Sequence, residues 1–153
     1  MGGQSGRHAQ AGVAPLRVLV DTSAWVEFLN GTSSPHADAV EALLRGDDEP
    51  CTCGIVVAEV FQGLRKDATR AAIEQSFRDM SLLEPSDIAT YLRAAEVYRK
   101  LRERGVTIRS TIDCIVAVIA EEAGCALLAR DRDLDALLAS GLVRVKPWPA
   151  ATR

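Results

Sequence analysis

The 153-residue chain carries 48% hydrophobic and 25% charged residues, with a formal net charge of −3. This composition is typical of one soluble globular domain with a sizeable core, and the acidic balance excludes a protein that coats nucleic acid by bulk positive charge. Aromatic residues make up 5% of the chain, which disfavours a stacking platform for bases. Four cysteines without a C-x-x-C pair and two histidines give a zinc site little support, so we expect buried free thiols.

The first fifteen residues contain no apolar segment, so we expect no signal peptide, and no apolar run is long enough to span a membrane. We therefore expect a cytoplasmic protein. Residues 1–15 are predicted to be a disordered N-terminal extension or a tag remnant, and residues 16–149 a single domain.

Apolar runs, helical periodicity and turn residues predict the following elements in chain order. The first part of the chain is predicted to contain a strand over 16–20, a helix over 24–29 capped by Thr22 or Ser23, a helix from Ser34-Pro35 to Gly46 and a strand over 50–53. The middle part is predicted to contain a helix over 55–64, a helix capped by Asp67 that runs to about Met80, a strand or connector over 81–84 and a helix over 87–104 capped by Ser86. The last part is predicted to contain a central helix within 110–124, a strand over 126–129, a helix over 133–139 and a final strand over 142–145.

Strands that alternate with helices indicate right-handed β-α-β units, hence an α/β fold with a mostly parallel sheet. In such sheets a ligand site lies off the carboxyl ends of the strands, where the strand order reverses. Asp21 and Asp131 follow predicted strands, Glu59 lies on a helix just after a strand, and Asp113 begins the central helix. The topology can therefore bring these four carboxylates together.

Two of these acids stand in apolar surroundings. Asp113 is the one polar residue between Ile112 and Ala120, and Glu59 shares a helix flank with Ile55 and Val56. A buried carboxylate needs a cationic partner or a metal ion. Carboxylates without histidine or cysteine suit Mg²⁺ or Mn²⁺, which prefer oxygen ligands and assist phosphodiester hydrolysis.

Each acid also has a structural alternative. Ser110-x-x-Asp113 has the spacing of a helix capping box, and Asp21 has the position of a helix cap. Asp131 suits a turn, Asp133 suits the cap of the last helix, and Glu59 suits a buried ion pair. The joint occurrence of the acids, in this order, favours a functional site.

Four segments resemble the motifs of the PIN-domain family. They are VLVDTSAWVEFL around Asp21, GIVVAEVFQGLR around Glu59, STIDCIVAVIAEEAG around Asp113 and LLARDRDLDAL around Asp131. Together they cover about 16–147, and the DTSAW start and short length most resemble the VapC-type toxins of bacterial toxin–antitoxin pairs. Family members commonly have Phe at the position of Leu134, a departure that concerns packing.

The resemblance implies a three-layer α/β/α PIN-like sandwich and a Mg²⁺- or Mn²⁺-dependent endoribonuclease that cleaves structured RNA, such as transfer or ribosomal RNA. It also implies a homodimer and a cognate antitoxin that covers the site. Carried over motif by motif, Asp21, Glu59, Asp113 and Asp131 are the metal-binding and catalytic carboxylates, and Asp133 is an auxiliary metal ligand.

On this hypothesis the carboxylates hold one or two metal ions that activate water, and cations guide the RNA backbone. Arg109, just before the central helix, is the predicted RNA-binding residue. A rim of Arg65, Lys66, Arg99, Lys100 and Arg102 could contribute, or could form an ordinary solvated face. Two alternatives stay open: a metal-dependent DNA nuclease or phosphatase, and a non-catalytic RNA- or protein-binding module of the same fold.

Overall fold

Within residues 12–64 and 67–149, which the computed structural model describes, strands and helices alternate along the chain. The strands are β1 (Arg17–Val20), β2 (Glu49–Cys53), β3 (Ser81–Leu83) and β4 (Ala126–Leu128). The helices are α1 (Thr22–Leu29), α2 (Pro35–Arg45), α3 (Gly54–Gly63), α4 (Ala68–Asp79), α5 (Ile88–Glu103), α6 (Thr111–Glu122) and α7 (Arg132–Ala139).

The four strands form one sheet in the order β3-β2-β1-β4, and all three pairings are parallel. β1 lies in the interior, where Leu19 is in register with Cys51 on one side and with Leu127 on the other. The side chains of Val18, Leu19 and Val20 are completely buried. A strand covered on both faces carries a continuous apolar run, which is why this segment reads as a strand in the sequence.

The order of the strands places the helices on two sides of the sheet. The chain moves from β1 to β2 to β3 in one direction and then crosses back to β4, so right-handed connections put α1–α4 on one face and α5 and α6 on the other. The helix contacts agree, since α1 packs against α2 and α3, whereas α6 packs against α5 and α7. The predicted three-layer α/β/α fold is confirmed, and the direction of travel reverses between β1 and β4.

α6 is the helix most deeply packed in the core. Cys114 and the run 116–120 are buried, and the helix begins at Ser110, whose hydroxyl accepts a hydrogen bond from the Ile112 N–H at 3.1 Å. Gly124, with φ of 66°, follows the helix in the left-handed conformation that glycine adopts without a steric penalty. The predicted central helix is therefore present, and all four cysteines are buried and free as expected.

The predicted final strand over 142–145 is wrong. Val143 and Val145 are buried, which explains the alternating apolar pattern, but residues 142–145 do not pair with the sheet. A single isolated parallel bridge follows, between Leu127 and Pro147, in which the Leu127 N–H donates to the Lys146 carbonyl and the Trp148 N–H donates to the Leu127 carbonyl, both at 2.9 Å.

Two predicted helix caps are wrong. Asp87 rather than Ser86 caps α5, and Asp131 rather than Asp133 caps α7. For α1 two sets of caps were considered, and the structure has Asp21 as the cap rather than Thr22 or Ser23.

Some predictions fall outside the described residues. These are the first eleven positions of the extension expected over residues 1–15, together with Arg65 and Lys66 of the expected cationic rim. In the part of the chain that the structure describes, no helix combines the length and apolarity needed to cross a bilayer.

Candidate active site

Two aspartates leave adjacent strands at the edge where the strand order reverses. Asp21 directly follows β1, and its backbone N–H donates to the Leu128 carbonyl of β4 at 2.8 Å. Asp131 follows β4 after two intervening residues and begins α7. Parallel strands end at the same side of a sheet, so the fold brings these two positions side by side, at the place where such sheets bind ligands.

The Asp21 carboxylate is buried, with 7% of the residue exposed. Its Oδ2 atom accepts hydrogen bonds from the Ser23 N–H at 3.0 Å and from the Ser23 hydroxyl at 2.6 Å. Burial raises the pKa of Asp21 above its ordinary value, the Ser23 bonds oppose this, and the charges of Glu59 and Asp131 add to the rise. Helix capping occupies one carboxylate oxygen, and among the described residues the other oxygen accepts no hydrogen bond.

Asp131 and Asp133 are both held by donors. Oδ1 of Asp131 accepts the N–H groups of Asp133 at 2.7 Å and Leu134 at 3.2 Å, which caps α7. Oδ2 of Asp133 accepts the backbone N–H of Arg109 at 3.0 Å and its Nε–H at 2.9 Å. These two bonds from Arg109 lower the pKa of Asp133.

Asp113, in the first turn of α6, completes a cluster. One carboxylate oxygen from each of Asp113, Asp131 and Asp133 lies within 4.8 Å of the others, and we call these residues the three-aspartate cluster. Burial raises the pKa of the half-buried Asp113 to about 7, and the charges of Asp131, Asp21, Asp133 and Glu59 add to the effect in that order. The Asp113 carboxyl group therefore interacts electrostatically with all four of the other acids.

The capping-box alternative for Asp113 does not fit this geometry. Ser110 caps α6 through its own hydroxyl, and the Asp113 backbone N–H donates to the Ser110 carbonyl at 3.3 Å. Within residues 12–64 and 67–149, the Asp113 side chain accepts no hydrogen bond and forms no ion pair. Its carboxylate faces the other acids without a structural partner.

Glu59 projects from α3, which follows β2, and is partly buried. Its Oε2 atom accepts a hydrogen bond from the Thr22 hydroxyl at 2.6 Å. No cation of the described chain pairs with it, so the buried ion pair considered from the sequence is absent there. Glu59 and Asp21 lie outside the three-aspartate cluster, yet their charges raise the pKa of Asp113.

Sequence reasoning missed two hydroxyl residues that organise the site. Thr22 holds Glu59, as described above. Ser23 accepts the Arg130 N–H at 2.8 Å while it donates to Asp21, so it ties the end of β1 to the segment after β4. The available signal is the Thr-Ser pair directly after Asp21, which from the sequence is interpreted as helix capping and as part of the family resemblance but not as a means of holding the acids.

The donor set fits a hard divalent cation. All five side chains offer carboxylate oxygen, the atom that Mg²⁺ and Mn²⁺ prefer, and no histidine or thiolate competes for the ion. Burial first, and then the charges of the neighbouring acids, raise the pKa of Asp113, and a bound cation would offset both effects.

A parallel α/β sheet with carboxylates gathered at its reversal point defines a class of metal-binding α/β domains. Residues 18–137 match the PIN domain, and the chain belongs to this family. Ribonuclease VapC11 of Mycobacterium tuberculosis and VapC ribonuclease Mb1587 of Mycobacterium bovis are each 33% identical over 121 residues, which cover 78% of this chain and 90% of the relative.

Among solved structures, VapBC-1 from nontypeable Haemophilus influenzae superposes with a TM-score of 0.63 at 16% identity, over 87% of this chain and 98% of that one. At this level of identity the likeness supports the fold. The sequence relatives and the structural neighbour thus agree on the architecture that the resemblance predicted.

Proposed function

We propose that this chain is a divalent-metal-dependent endoribonuclease of the VapC toxin type. The observation that carries the proposal is the convergence of Asp113, Asp131 and Asp133, next to Asp21 and Glu59, at the carboxyl ends of β1 and β4. The two mycobacterial relatives are named ribonucleases, which favours RNA over DNA as the substrate. Structured RNA, such as transfer or ribosomal RNA, is the expected target.

In this proposal the three-aspartate cluster holds Mg²⁺ or Mn²⁺, with Asp21 and Glu59 completing the acidic surroundings. When bound, such an ion lowers the pKa of water and offsets negative charge on a phosphodiester. Other side chains of the protein hold the acids in position. Ser23 orients Asp21, and Thr22 orients Glu59.

The proposal includes a protein partner. The Haemophilus neighbour was solved as VapBC-1, and we infer that this chain likewise pairs with a cognate antitoxin that covers the acidic site. We also propose a homodimer built from the domain over 16–149, active in the cytoplasm.

Purified protein should be incubated with total cellular RNA in Mg²⁺, in Mn²⁺ and in chelator, beside Asp113→Asn and an Asp135→Asn control. Asp135 lies on α7 but is exposed and outside the cluster. Its variant therefore removes one negative charge, as Asp113→Asn does, at a position that has no role in the proposed site. Discrete, metal-dependent fragments with wild type and Asp135→Asn, absent with Asp113→Asn, are the expected result. Intact RNA in all lanes, from protein shown to be free of a bound partner, would contradict the proposal.

A further inference from the structure

Arg109 places a positive charge directly on the three-aspartate cluster. Its Nε–H donates to Asp133 Oδ2 at 2.9 Å, and its Nη2 lies 3.4 Å from Asp131 Oδ2. The backbone N–H of the same residue donates to the same Asp133 oxygen at 3.0 Å. The guanidinium therefore occupies oxygens on two of the three carboxylates suited to a metal ion.

The other arginines near this end of the sheet point elsewhere. Arg130 pairs with Glu27, and Arg104 donates to the Ser140 carbonyl at 3.1 Å. Arg132, between Asp131 and Asp133 in the chain, is exposed and forms no ion pair with a described residue. In the part of the chain that the structure describes, Arg109 alone pairs with the cluster.

We propose that Arg109 is a tethered counter-ion that a divalent cation displaces, and that displacement frees its guanidinium to bind RNA phosphate. The guanidinium holds Oδ2 of Asp131, the oxygen that capping leaves open, and Oδ2 of Asp133, so a metal ion bound in the cluster lies at short range from it, where like charges repel. The side chain of Arg109 is 74% exposed, and ion pairs of this exposure are weak enough to exchange.

The backbone bond from Arg109 gives this exchange a fixed pivot. Its N–H keeps Asp133 in place whether or not the side chain is engaged, so the carboxylate does not have to reorganise when the guanidinium leaves. Binding of the metal ion then makes the Arg109 guanidinium available to RNA. Because such coupling is reciprocal, binding of RNA phosphate by Arg109 also strengthens metal binding. The metal half of this inference is independent of the proposed nuclease function, and the RNA half rests on it.

The metal half is tested by calorimetric titration of metal-free protein with Mn²⁺ and with Ca²⁺. Arg109→Gln removes the competing cation, and Arg132→Gln removes one positive charge beside the cluster without removing an ion pair. We expect Arg109→Gln to bind either ion about 10-fold more tightly than wild type. The affinity of Arg132→Gln should stay within about 3-fold of the wild-type affinity, because interactions between exposed charges are weak and are screened by salt. Equal shifts in the two variants, or weaker binding by Arg109→Gln, would overturn the displacement.

Because the Arg109 backbone N–H is kept in Arg109→Gln, Asp133 should stay oriented. Thermal unfolding of both variants in chelator checks that their folds are intact. Arg109→Lys serves as a second variant, since it keeps the charge and loses the planar fork. Its metal affinity should fall between those of wild type and Arg109→Gln, and an affinity below that of wild type would contradict direct competition.

The RNA half is tested by the salt dependence of binding to a single-stranded RNA oligonucleotide, in chelator and in Ca²⁺. In chelator the slopes of wild type and Arg109→Gln should coincide, because the guanidinium is engaged by aspartates. In Ca²⁺ the wild-type slope should be steeper by about 0.7, the value of one phosphate contact on single-stranded nucleic acid. Equal slopes in Ca²⁺, or a difference already present in chelator, would refute the release. A failure of both proteins to bind RNA would count against the proposed function, whereas the titrations alone decide the displacement.

Discussion

Replacement of Asp113 by asparagine removes the charge that is most strongly opposed by its neighbours. The pKa of Asp113 is raised from 3.8 to about 7, so its carboxyl group binds a proton more tightly in the folded than in the unfolded chain. The folded state is then favoured at low pH. The corresponding stability is fully present below about pH 4 and is lost as the pH rises through 7.

The size of this effect follows from the pKa. The interval between 3.8 and about 7 corresponds, at about 1.4 kcal/mol per pH unit, to an upper limit of about 4 kcal/mol. Asp113 is only half-buried, so solvent and salt screen part of the repulsion. We expect metal-free Asp113→Asn to be about 1–2 kcal/mol more stable than wild type at pH 8, and equal to it within about 0.5 kcal/mol at pH 4.

The measurement is urea unfolding followed by circular dichroism, in chelator, from pH 4 to pH 8. Asp135→Asn is the matched control, since it removes an exposed carboxylate of α7 outside the cluster and should change stability by no more than about 0.5 kcal/mol. Asp113→Asn should also abolish metal-dependent RNA cleavage. A variant that is less stable than wild type at pH 8 would refute the reasoning, because it would mean that the carboxylate supports the fold.

Three further substitutions test the hydrogen bond that holds Glu59, the ion pair between α5 and α6, and the packing of the core. Thr22→Val removes the hydroxyl that donates to Glu59 Oε2 at 2.6 Å, and should weaken Mn²⁺ binding about 10-fold in calorimetry while the unfolding free energy changes by less than about 1 kcal/mol; unchanged affinity would contradict the positioning role. Arg93→Ala deletes the pair with Glu121 at 2.9 and 3.0 Å, and should cost about 1–2 kcal/mol in urea unfolding with cleavage activity per folded molecule retained. Leu134→Phe enlarges a completely buried side chain, and should lower the unfolding free energy by about 1–3 kcal/mol; a gain in stability would show that the core has room for the residue common in the family.

The sequence predicted the fold well because its strongest signals come from buried strands. β1 and β4 are short apolar runs covered on both faces, and each is followed by an aspartate at or near its end. The segment over 142–145 has a similar strand-like apolar pattern, but for a different reason. Val143 and Val145 are buried by packing against the core rather than by pairing in the sheet, and a one-dimensional pattern does not distinguish the two cases.

At the site, the sequence leaves two roles open for each of two acids: helix cap or metal ligand for Asp21, and turn residue or metal ligand for Asp131. In the structure each residue caps its helix with one carboxylate oxygen. The second oxygen of Asp21 accepts no hydrogen bond from the described residues, and that of Asp131 lies 3.4 Å from Arg109 Nη2, so capping leaves each residue one oxygen that could bind a ligand. The contacts of Thr22 and Arg109 depend on residues that are distant in the chain, 37 positions away for Glu59 and 24 for Asp133. No local pattern could reveal such pairings.

The position of β1 between β2 and β4 also sets the order in which the acidic site can come into existence during translation. Asp21 is made early, but β1 gains its second neighbour only when residues 126–128 have been synthesised, and Asp131 and Asp133 follow those residues. A ribosome that stops before residue 131 therefore releases a product that lacks two of the three clustered aspartates. The three-aspartate cluster is therefore complete only in molecules whose translation has passed Asp133.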